Sequence, residues 1–90
     1  MTVEAQWAEG ARAADISQAV YIRAFLIEER KRVSDDLVQA RARLRDCLDG
    51  GQVVGLRAMS RSRFQVRELE AKQREVERLI AALDRRFGVV

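Results

Sequence analysis

Asp49-Gly50-Gly51-Gln52-Val53-Val54-Gly55 decides the fold, because it gathers three of the five glycines of a 90-residue chain that has no proline. Glycine weakens a helix and suits a turn, so helix breakers are concentrated at this one interior point. The chain reads helix, break, helix.

Backwards from the break, apolar or small residues recur at Cys47, Leu44, Ala40, Leu37, Val33, Leu26, Ala19 and Ile16, in steps of three and four interrupted at Arg30 and Arg23. Forwards, the same spacing runs through Met59, Ser62, Val66, Leu69, Gln73, Val76, Ile80, Leu83 and Phe87, after which Gly88 supplies a stop. If the stripes face each other around one turn, the numbers of facing residues must add to a near-constant. They do so for Ile16 with Phe87, Ala19 with Leu83, Leu26 with Val76, Val33 with Leu69, Leu37 with Val66 and Leu44 with Met59. The fold class is therefore all-α, a long antiparallel two-helix hairpin with coiled-coil-like packing.

In the same register Arg30 falls opposite Gln73, and one polar layer in an apolar seam can fix alignment at some cost in stability. Glu28/Arg32, Glu68/Lys72 and Glu70/Arg74 stand at four-residue spacing on the outer faces and support helix without implying function. Asp15-Ile16-Ser17-Gln18 has the form of a capping box, which predicts a first helix over 15–48, a turn over 49–55 and a second helix over 56–87. Residues 1–14 then form an N-terminal arm, helical or disordered, that carries Trp7. Ser34-Asp35-Asp36 resembles a fresh helix start, but the apolar phase continues unbroken from Leu26 to Leu37, which favours one long helix.

Composition removes most chemistry. There is no histidine and only one cysteine, Cys47, which excludes disulfides within the chain, zinc sites of the Cys/His kind and catalysis built on imidazole. No catalytic residue, metal site or cofactor site is expected, and two helices enclose no pocket in which scattered carboxylates could work. No apolar run approaches the roughly 18 residues of a membrane span, so the expectation is a cytoplasmic protein with no membrane contact. The basic residues are almost all arginine, with lysine only at Lys31 and Lys72, a bias that suits a GC-rich bacterial or phage genome.

Two regions exceed what a hairpin needs. Val20-Tyr21-Ile22-Arg23-Ala24-Phe25-Leu26-Ile27 is apolar nearly all the way round, and a helix of that kind expects to be covered. Val20, Tyr21, Ile22, Phe25, Ile27 and, on the second helix, Leu79 are the expected partner interface. They predict a homodimer that completes a four-helix bundle, or docking onto a larger protein. At the turn end, residues 41–67 carry seven arginines against two aspartates, a net +5 against −2 for the rest. Arg41, Arg45, Arg57, Arg61, Arg63 and Arg67 are the candidate contacts for nucleic acid or an acidic protein surface, with Phe64 alone available for stacking.

Gly50-Gly51-Gln52 also stands at the tip of peptide release factors, and Trp7-Ala8-Glu9-Gly10 is similar in part to the Trp-x-Gly signature of small secreted hairpins. Neither likeness extends into the flanking sequence. The leading expectation is a non-enzymatic adaptor acting through protein contacts, and the alternative is nucleic-acid binding through the arginine-rich turn.

Overall fold

A computed structural model describes the backbone of residues 3–49 and 55–88, and the side chains of Gly10 and of residues 12–49 and 55–88. It contains two helices, α1 (Val3–Asp49) and α2 (Leu56–Phe87), packed antiparallel along one seam. The expected turn over 49–55 falls mostly on residues 50–54, outside the described residues. The molecule is a rod, 74 × 17 × 15 Å. At about 1.5 Å rise per residue, α1 accounts for nearly all of that length and α2 for about 48 Å of it.

The seam lies where the apolar stripes placed it. Among the described residues, Ala19, Leu26, Val33, Leu37 and Ala40 are buried on α1, and Val66, Val76 and Ile80 on α2. They form two clusters. Leu26 packs with Val76 and Ile80 toward the open end, with Ile27 and Leu83 against them. Leu37 and Ala40 pack with Val66 nearer the turn, supported by Leu44 and Leu69. In the first cluster Leu26 lies with two successive layers of α2, and in the second Leu37 and Ala40 share Val66, an interleaving like that of knobs between the residues of a facing helix.

α1 begins at Val3 and not at Asp15, so the capping box does not start the helix. The cause is local propensity: residues 3–14 are rich in alanine and glutamate and contain no proline, and only Gly10 weakens them. Asp15 and Ser17 are exposed side chains on a continuing helix. The acids after Ser34 do not break it either, since Val33 and Leu37 are both held in the seam. α2 ends on Gly88, which adopts the left-handed conformation (φ 63°) and donates its N–H to the Asp84 carbonyl at 2.9 Å.

α2 ends beside a groove that Phe87 shares with Asp15, Gln18, Ala19 and Ile22, and beyond it α1 has no companion among the described residues. The unaccompanied stretch, Val3–Ala14, extends about 18 Å beyond the paired region. Ile16, expected to face Phe87, is 41% exposed.

Candidate functional site

The two sides of the seam are built differently. On one side, polar groups reach across between the helices at three levels. Arg23 donates from Nε to Asp84 Oδ1 at 2.7 Å and from Nη2 to Oδ2 at 3.3 Å, Gln73 Nε2 donates to Ser34 Oγ at 3.4 Å, and Arg41 Nη2 donates to Glu70 at 3.4 Å. Arg23, Ser34 and Arg41 are eleven and seven residues apart, close to whole numbers of turns, so they share one flank of α1. We call this the bridged flank.

Arg23 is therefore not merely an interruption of the apolar stripe. Its side-on contact with Asp84 leaves both side chains about one-quarter exposed (27% each). The hydrogen bond from Arg23 holds the Asp84 carboxyl below its usual range and raises the guanidinium further above its own. The expected Arg30–Gln73 layer is corrected in one respect. Gln73 turns to Ser34, one turn along α1 from Arg30, while Arg30 lines a shallow hollow shared with Lys31, Ser34, Asp35 and Glu77. A hydroxyl of short reach answers a glutamine in the seam better than a long guanidinium, which finds water at the rim.

The opposite flank has none of these bridges among the described residues. At the open end it is apolar: Ile22, Leu26, Leu79, Ala82, Leu83 and Phe87, with Arg86, line a groove of about 280 Å³. Phe25 follows Ile22 by three residues and Tyr21 precedes Phe25 by four, which sets both beside the groove on α1. Phe25 is 62% exposed and Tyr21 75%. Arg86 closes one edge, its guanidinium 5.2 Å from the Phe87 ring centroid.

The six residues expected to form one partner interface divide between the flanks. Tyr21, Ile22, Phe25 and Leu79 belong to the apolar flank. Val20 and Ile27, three residues before and four after Arg23, lie on the bridged flank, and Ile27 packs against the Leu26–Val76–Ile80 cluster. The reason is helical phase: a segment apolar all round faces every direction, and only one direction is left bare. On α2 the seam takes Val76, Ile80 and Leu83 and leaves Leu79 exposed.

The arginines of the turn end also divide. Arg43 and Arg61 stand eighteen residues, about five turns, from Phe25 and Leu79 respectively and so continue the apolar flank, with Arg57 one turn before Arg61. Arg41 and Arg45 continue the bridged flank, with Arg63 and Arg67 near Glu70 on α2. All seven are exposed, and Arg41–Glu70 is the one cross-helix ion pair they form among the described residues. The charges form a belt around the rod and not a single face. Helix ends at the turn oppose their own dipoles: α1 has no basic residue in its last turn, and α2 begins at Gly55 with no side-chain cap and no acid in its first turn. Asp46 and Asp49 on one helix end and Arg57 on the other offset this only across the gap.

Cys47 is a free, half-buried thiol. Among the described residues no three His, Cys, Asp or Glu side chains form a metal-binding group, and no helix is long and apolar enough to cross a membrane. Ala82, Leu83 and Phe87 fall within the apolar open end expected for assembly, residues 16–27 and 76–87, although Leu79 alone was singled out there on the second helix. Their signal was available in the three-and-four spacing from Leu79, which places them along one edge of α2. No protein-family model matches this chain, and neither the curated proteins nor the solved structures contain a significant match to it.

Proposed function

We propose that this chain is a non-enzymatic helical-hairpin adaptor that acts in the cytoplasm through protein–protein contacts, made chiefly by the apolar flank of its open end. The observation that carries this reading is the exposure of Tyr21 and Phe25 beside the Ile22–Leu79–Phe87 groove, on the flank that no cross-helix bridge closes among the described residues. An exposed apolar patch with a charged rim marks a contact surface more often than chance, and burying two or three such side chains contributes about 1.5–3 kcal/mol each. That is comparable to the stability of a small domain. A photoreactive phenylalanine analogue at Phe25, introduced in the native host, is expected to give discrete protein adducts, whereas the same analogue at exposed Val38 gives none. Equal labelling from both positions would count against this surface.

A second reading, nucleic-acid binding through the turn end, is supported by the uncapped α2 terminus, where Arg57 and Arg61 meet no acid in the first turn. The belt-like division of the arginines weighs against it, because one phosphate track cannot meet both flanks at once. It requires salt-sensitive retardation of DNA or RNA that is lost when Arg57, Arg61 and Arg63 are changed to Ala.

A further inference from the structure

We propose that the apolar flank of the open end is covered by a second copy of this chain, whose unaccompanied α1 stretch, Val3–Ala14, lies along it as a third helix. This rests on the reading of that flank as the protein-binding surface and names its occupant.

The overhang is the first reason. An isolated helix of this length is marginal in water, and most helical stability in proteins comes from tertiary packing. Among the described residues nothing accompanies Val3–Ala14, since α2 ends beside the groove that Asp15, Gln18, Ala19 and Ile22 share with Phe87. The same end of the molecule therefore holds an uncovered groove and a helix without a neighbour.

Spacing relates the two. Tyr21 is preceded at steps of seven by Ala14 and Trp7, and Phe25 by Gln18 and Ala11, so the stripe that edges the groove continues along the overhang. Two antiparallel copies of such a stripe, related by a two-fold axis at Ala14, bring the level of Trp7 in one copy to Tyr21 in the other and the level of Val3 to Phe25. The contact spans about 34 Å of α1. It is isologous and closes on itself, giving a dimer and not a fibre.

The residues around the axis permit close approach. Arg12 through Gln18 are all exposed, and a Cβ placed on Gly10 would meet nothing within 4 Å, so no neighbour in the chain requires a glycine in this helix.

The test uses the full chain with Cys47→Ser as background. Sedimentation velocity is expected to show a dimer that Phe25→Asp weakens by about tenfold or more, with helicity followed by circular dichroism to separate dissociation from unfolding. Under mild oxidation, Ala14→Cys is expected to form a covalent dimer, and Gln39→Cys, exposed on the paired region, is not. A monomer at every concentration overturns the proposal, as does a dimer in which Gln39→Cys links and Ala14→Cys does not. If the chain is a monomer while the probe at Phe25 captures a different protein, the second-copy assignment falls and the protein-binding reading stands. If neither occurs, both fall.

Discussion

The two flanks of the hairpin border the same seam, yet one is closed by cross-helix bridges and the other is open at one end. On the bridged flank, Arg23–Asp84, Ser34–Gln73 and Arg41–Glu70 tie the helices together at three levels. The opposite flank has an apolar groove at the open end and arginines at the turn. Polar groups that reach across a seam satisfy each other and need nothing further. Apolar groups exposed in a row gain only by being covered. The difference explains why two neighbouring residues, Leu26 and Phe25, serve different purposes although both are large and apolar.

That contrast gives the largest expected effect. Leu26→Ala and Leu37→Ala remove side chains from the seam and are each expected to cost about 2–5 kcal/mol at any protein concentration, read by thermal unfolding followed by circular dichroism. Phe25→Ala, at 62% exposure, is expected to leave the unfolding of dilute protein nearly unchanged and to lower it only where the flank is covered. A loss for Phe25→Ala as large as for Leu26→Ala in dilute protein would erase the distinction between seam and flank.

A smaller effect tests the bridged flank. The pKa of Asp84 is lowered in the folded chain by the hydrogen bond from Arg23, so its contribution to stability is complete above the pKa of an unfolded aspartate. That contribution is lost as pH falls through the depressed folded value. Arg23 remains charged throughout this window. Asp84→Asn is expected to flatten this acid-side decline in melting temperature, and an unchanged pH profile would show that the bridge contributes nothing in solution. Glu75, held low by the local hydrogen bond from Arg78, adds a component to the same decline that Asp84→Asn leaves in place.

The fold was legible because period and punctuation agreed: glycines clustered at one interior site, and two stripes shared one register. Leu26, Leu37, Val66 and Val76 occupy the seam for that reason. The start of α1 was not legible, because Asp15-Ile16-Ser17-Gln18 satisfies a capping pattern that alanine-rich sequence upstream overrides. The interface was legible only in part. Periodicity identified Tyr21, Ile22, Phe25 and Leu79 as surplus. It did not show that Val20 and Ile27 lie on the other flank, since that depends on which way the seam rotates and on the Arg23–Asp84 contact, a long-range pairing. The arginine cluster was visible as composition, whereas its division into a belt required the relative phase of both helices.

The smallest expected effect lies at the turn. Arg57 stands in the first turn of α2, where the helix dipole disfavours a positive charge. Arg57→Glu is expected to raise stability by about 0.3–1 kcal/mol at low salt and less at high salt. A destabilised variant would mean that Arg57 holds the turn together and is not a surplus charge kept for a partner.

The open flank itself is tested most directly by hydroxyl-radical footprinting of the full chain as protein concentration is raised, with mass spectrometry resolving individual side chains. Tyr21, Phe25 and Leu79 are expected to become protected together, while Val38 and Phe64, similarly exposed but off the groove, keep their reactivity. Uniform reactivity of all five residues at every concentration would contradict the assignment of this flank to a second copy.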